Sequence, residues 1–98
     1  MTDQARWYLV AYDIGHDRRR TKVSEALSSF GDRVQYSVFL LRLHPARATQ
    51  LWGNLRHLID RNADSVLVCD IGPDRRSYDR IMFIGVERPR YGGEPLVI

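Results

Sequence analysis

Asp13 closes an otherwise apolar run, Trp7-Tyr8-Leu9-Val10-Ala11-Tyr12-Asp13-Ile14, and three consecutive arginines, Arg18, Arg19 and Arg20, follow it closely with Lys22. A carboxylate at the end of an apolar strand is costly to desolvate unless a proton or a cation accompanies it. Magnesium is held by one or two such carboxylates, with water and substrate phosphate completing its octahedron. One aspartate makes a poor site, whereas two brought together across a two-fold axis make a usable one. Asp13 serves equally well as a cap for the following turn or as a partner for a nearby arginine, and the residue type does not separate these roles. The arginines fall at the first turn of a helix, beside the positive end of its dipole, where cations repel unless an anion joins them. A phosphate backbone supplies that anion, and a solvated basic patch is the plainer alternative. Phosphodiester chemistry needs both a metal and positive clamps.

Other residues carry weaker signals. Ser37 could donate to a phosphate, although a hydroxyl at a strand turn is usually structural. Tyr12 and Tyr36 could stack on bases or pack into a core or interface. His16, two residues beyond the strand end, could act as a general base, whereas His44 and His57 show no metal spacing. Cys69 falls in mid-strand as a small buried hydrophobe. No phosphate-binding loop, dinucleotide fingerprint or paired-cysteine motif is present, which leaves nucleotide hydrolysis and redox chemistry without support.

The elements that must position these groups follow from periodicity. Trp7 to Ile14 is rich in β-branched and aromatic residues and ends at Gly15, which predicts a buried strand. Asp17 is a suitable N-cap for a helix in which Val23, Ala26, Leu27 and Phe30 recur at helical spacing before Gly31. Arg33-Val34-Gln35 and Ser37-Val38-Phe39-Leu40-Leu41-Arg42-Leu43 predict a short strand and a longer one, around a turn near Tyr36 that no Gly or Pro marks. Pro45 fits the first turn of a second helix, with Ala48, Leu51, Trp52, Leu55, Leu58 and Ile59 as its stripe and an end near Asn62. Ser65 to Ile71 is another strand, stopped by Gly72-Pro73. Asp74 to Asp79 reads as a charged turn, Arg80 to Val86 as a further strand, and Pro95-Leu96-Val97-Ile98 as an apolar tail.

This order predicts an α+β fold, a ferredoxin-like βαββαβ sandwich with an extra C-terminal strand and both helices on one face of an antiparallel sheet. The strands do not alternate as half-buried strands should. Tyr8, Val10, Tyr12 and Ile14 line one face of the first strand, while Trp7, Leu9, Ala11 and Asp13 line the other. Two helices cover one face only, so the other needs a cover, and a second copy in a two-fold homodimer supplies it. Residues 1–86 are expected to form the domain. Residues 87–98 are expected to form an extension that pairs with the partner subunit or folds back on its own.

Composition adds limits. Fifteen basic residues against twelve acidic ones give a net charge of +3, and fourteen of the fifteen are arginine, whose fork suits phosphate. An arginine-favouring genome explains the same bias. No apolar run approaches the roughly 20 residues of a membrane span, nothing resembles a secretory signal, and a single cysteine excludes an internal disulfide. These features point to a cytoplasmic protein without a membrane partner.

Tyr8 to Ile14, then Arg18-Arg19-Arg20, then Arg33-Val34-Gln35-Tyr36-Ser37-Val38-Phe39 together resemble the small CRISPR-associated endoribonuclease family Cas2. The likeness continues through Asp64-Ser65 to Ile84-Gly85 and so covers nearly the whole chain. It implies a homodimer with facing sheets whose C-terminal strands embrace the partner. It also implies a metal-dependent nuclease in which Asp13 of each chain is the catalytic and metal-binding residue, with Mg2+, or Mn2+ in its place, between them. Members capture new spacers with the integrase Cas1 in antiviral defence, the dimer serving as a platform for duplex DNA. By position Arg18, Arg19, Arg20 and Ser37 match nucleic-acid-binding positions, and Tyr12 and Phe39 match positions that support the site. Many members carry Glu after Val-Phe, whereas Leu40 stands here, so no second acidic group is carried over. The implied reaction is hydrolysis of single-stranded RNA or duplex DNA. The rivals are a non-catalytic duplex-binding scaffold, a related toxin ribonuclease and, last, a small-molecule regulatory domain of the same fold.

Overall fold

The computed structural model describes residues 4–73, 75–85, 90–91 and 94–95. Strand β1 (Arg6–Asp13) is central, antiparallel to β3 (Val38–Leu43) on one side and β4 (Ser65–Gly72) on the other. Strand β2 (Gly31–Gln35) adds to the far edge of β3, giving the order β2-β3-β1-β4. Helices α1 (Asp17–Ser28) and α2 (Pro45–Leu58) cross between the strands, as the sequence order requires of a ferredoxin-like sandwich.

Both helices cover the same face. Tyr8, Val10, Tyr12 and Ile14 of the first strand and its exit pack with Phe39, Leu41 and Leu43, with Val23 and Leu27 of α1, and with Ala48, Leu51 and Leu55 of α2. Burial of each large apolar side chain here stabilises the fold by about 1.5–3 kcal/mol. Helix α1 starts one residue earlier than its acidic residue suggests. His16, not Asp17, is the N-cap, and its Nδ1 accepts the Arg19 N–H at 3.3 Å. The second helix ends at Leu58, short of Asn62.

The unmarked turn at Tyr36 and Ser37 is made without a left-handed residue, since no non-glycine residue among those described has positive φ. A register shift between Arg33 and Gln35 supplies the extra twist instead. At the other end of β2, Gly31 lets the backbone approach β3 so closely that a methyl group there would overlap the Leu40 carbonyl oxygen.

The second face differs from expectation. No strand spans 81–84. The expected charged turn is instead a helical turn, α3 (Arg75–Tyr78), after which Asp79, Arg80 and Ile81 each donate their backbone N–H back into it. These local bonds, and an Arg80 guanidinium donating to the Ile71 carbonyl at 3.0 Å, hold the segment across the sheet rather than along its edge. Tyr78 stacks on Trp7 with ring centres 5.4 Å apart, and Ile81 and Phe83 lie on Trp7, Val34 and Leu40. The chain therefore covers part of its own second face. The part nearer Asp13 stays open: Leu67 is 65% exposed and Cys69, expected to be buried, is exposed too. The expected extra strand over 80–86 is not formed among its described residues, and beyond it two two-residue strands, β5 (Arg90–Tyr91) and β6 (Glu94–Pro95), join antiparallel to each other. Val86 and the tail residues Leu96, Val97 and Ile98 lie outside the described residues.

Candidate active site

Asp13 is the last residue of β1 and lies directly across from Ser65 at the start of β4. It is exposed, and it follows Trp7, Leu9 and Ala11 along the second face, beyond the part that Tyr78, Ile81 and Phe83 cover. Beside it, the Tyr12 N–H donates to the Ser37 carbonyl at 3.0 Å, which fastens the β2–β3 turn to the end of β1. Ser37 thus joins the site through its backbone, with its side chain half-buried. Tyr12 and Phe39 are buried on the helix face behind Asp13, their rings stacked 6.3 Å apart, and form a rigid backing.

The arginine triplet divides into three different environments. Arg18 is exposed and has no ion-pair partner among the described residues. Arg19 forms a bidentate pair with Asp64, Nε to Oδ2 at 2.7 Å and Nη2 to Oδ1 at 3.2 Å, and the Asp64 side chain is only 1% exposed. Asp64 Oδ2 also accepts the Asp60 N–H at 2.8 Å. The Arg19 guanidinium, and then this backbone donor, hold the Asp64 carboxyl below its ordinary range, while Asp64 in turn raises Arg19. Arg20 pairs with Asp17, its main cause of a raised pKa, and donates to the carbonyls of Ile14 (3.0 Å) and Gly15 (3.4 Å). Arg19 therefore anchors α1 to the entry of β4, and Arg20 ties the loop after Asp13 to the first turn of α1. Arg18 and exposed Lys22 are left to face an anion.

Arg33, which the sequence reading did not single out, and Tyr36, which it named as able to stack on a base, both belong to this region. Arg33 lies over the Phe39 ring at 5.3 Å and over the Tyr36 ring at 5.9 Å, and its guanidinium donates to the Ser24 hydroxyl. Tyr36 stands 74% exposed at the turn. The available signal was the Arg-x-x-Tyr spacing across an unmarked turn, which brings a cation beside a ring only once the register is known.

A hard cation suits the donor set of Asp13, which offers carboxylate oxygen, but this chain brings one such group. Among the described residues no cluster of three or more His, Cys, Asp or Glu could hold a metal. The oxygens present fit a magnesium-type ion only when a second copy, a substrate phosphate or water supplies the rest.

The sequence profile of the family described as CRISPR associated protein Cas2 matches residues 6–79. A relative from Rhodospirillum rubrum, CRISPR-associated endoribonuclease Cas2 1, is 42% identical over 66 residues, which span 67% of this chain and 65% of that protein. The crystal structure of Streptococcus pyogenes Cas2 at pH 6.5 superposes with a TM-score of 0.72 at 26% identity, covering 81% of this chain and 99% of the other. A chain of a partial Cas6-RT-Cas1–Cas2 complex superposes with a TM-score of 0.67 at 25% identity, covering 95% of this chain and 98% of that one.

Proposed function

Because the chain belongs to the CRISPR-associated protein Cas2 family, we propose that it is a nucleic-acid phosphodiesterase of spacer acquisition and antiviral defence, acting as a homodimer. The observation that carries this is the exposed Asp13 at the end of β1, on the open part of the second sheet face and four residues ahead of the helix that carries the arginine triplet. A second copy covers Leu67 and the surrounding face, bringing its own Asp13 to the same two-fold axis, and the 87–98 extension pairs with that partner. The two carboxylates would be the groups to hold a divalent cation, Mg2+ or Mn2+. When bound, such an ion supplies a Lewis acid for a phosphoryl oxygen and a water of lowered pKa.

The remaining work falls to the chain's own residues. Arg18, Lys22 and Arg33 take the phosphates on either side of the scissile one. Arg20 keeps the Asp13 loop in place through the Ile14 and Gly15 carbonyls. Tyr12 and Phe39 stop β1 from yielding as substrate binds. The substrate is single-stranded RNA or duplex DNA in the cytoplasm.

A second role, as a duplex-binding scaffold for the integrase Cas1, is favoured by the likeness to a chain of a Cas1–Cas2 assembly and by the exposed cations of α1. The two roles are separated by incubating wild type and Asp13→Asn with labelled single-stranded RNA and duplex DNA, with and without magnesium. Loss of cleavage, with solution mass and duplex affinity unchanged, supports the enzyme. Cleavage by Asp13→Asn at the wild-type rate overturns it, and a wild type that binds duplex without cutting leaves the scaffold.

A further inference from the structure

Tyr36 is an anomaly in a chain this rich in apolar contacts. Its neighbours Val34, Phe39 and Leu40 are buried, yet its ring stands 74% exposed at the tip of the β2–β3 turn. The ring is nonetheless held. The Arg33 guanidinium lies over it at 5.9 Å while also resting on the buried Phe39 at 5.3 Å. An exposed aromatic backed by a cation that is itself seated on a buried ring loses little entropy when a flat ligand meets its open side. The turn that carries it is fastened to the residue before Asp13 by the Tyr12 N–H to Ser37 carbonyl bond. The ligand that matches an aromatic plane beside several guanidinium groups is an unpaired nucleobase with its attached phosphates, because every base offers a π-face and arginine takes both phosphate and π-density.

We infer that Tyr36 is a stacking platform for one unpaired base next to the Asp13 site, with Arg33 backing the ring, so that this chain favours single-stranded segments there. A base inside a continuous duplex is already stacked on both sides and gains nothing from the ring. The platform presupposes that the chain binds nucleic acid, but it requires neither cleavage nor a metal.

The test uses oligonucleotides carrying 2-aminopurine, whose fluorescence is quenched by stacking, as single-stranded RNA, single-stranded DNA and blunt duplex DNA of one sequence, all in EDTA. Wild type and Tyr36→Phe quench a single strand, whereas Tyr36→Ala does not and binds it about tenfold more weakly. Duplex affinity is the same for all three proteins. Sedimentation shows one mass for all three, as an exposed side chain outside an interface requires. Undiminished quenching by Tyr36→Ala, an equal loss of affinity for duplex, or a change of mass in Tyr36→Ala each overturns the platform. Quenching by wild type together with an uncleaved substrate leaves the platform standing and removes only the nuclease, whereas absence of binding by wild type removes both.

Discussion

Replacing the arginines of the triplet one at a time separates two kinds of cation that a triple substitution would merge. Arg18 is exposed and unpaired among the described residues, so Arg18→Ala removes a phosphate contact and nothing from the fold. Each such contact contributes about 0.9 to the slope of log K against log salt on duplex DNA and about 0.7 on a single strand. A slope of about 0.9 amounts to roughly fivefold in duplex affinity at 0.15 M salt and about fifteenfold at 0.05 M. The thermal midpoint stays at the wild-type value. Arg19→Ala has the opposite signature, because it leaves the Asp64 carboxylate, 1% exposed, without its bidentate partner. Its midpoint falls while the salt slope at temperatures where it stays folded is nearly that of wild type. The assay is fluorescence anisotropy of a labelled duplex across a salt series, with calorimetric melts of the same proteins. Wild-type slope and affinity in Arg18→Ala, or reduced slope with an unchanged midpoint in Arg19→Ala, would refute the division of labour.

Two further outcomes follow from the packing. The Asp64 carboxyl is held below its ordinary value of 3.8 by Arg19, so the stability it contributes is fully present above that value and is lost as pH falls through its lower folded value. Melts of wild type and Asp64→Asn should therefore differ most at neutral pH and converge at the acid end, and a constant gap would contradict the pairing. Gly31→Ala places a methyl group against the Leu40 carbonyl oxygen and 2.6 Å from Leu41 Cδ2, contacts that only a shift of β2 relieves. Overpacking of this kind costs about 1–3 kcal/mol, and calorimetry should show the midpoint falling by roughly 4–8 °C per kcal/mol in a domain of this size.

Much of the scaffold was legible because the apolar residues carry their own period. Val23 and Leu27 on α1, and Ala48, Leu51 and Leu55 on α2, are buried at the spacing that marked them. Tyr8, Val10 and Tyr12 separate from Trp7, Leu9 and Ala11 as a pleat requires, which placed Asp13 on the right side of β1. Residues 80–86 misled for the same reason. Ile81 and Phe83 pack while Met82 and Ile84 are exposed, so the segment alternates like a strand. Its first two backbone N–H groups, of Arg80 and Ile81, donate to the α3 turn, which no periodicity records. The division of the arginines was out of reach because Arg19 and Asp64 are 45 positions apart and meet only through the crossing of α1 over the sheet. The same holds for Tyr36, whose exposure depends on a register shift in β2.

The central claim is that two copies meet through the open face and bring their Asp13 carboxylates together. Nitroxides at Ser65→Cys in a Cys69→Ser background, directly across β4 from Asp13, report on it by electron double resonance. The account predicts an inter-copy distance shorter than the 20 Å thickness of the molecule. A distance comparable with its 36 or 40 Å extents, or no dipolar coupling between copies, would contradict it.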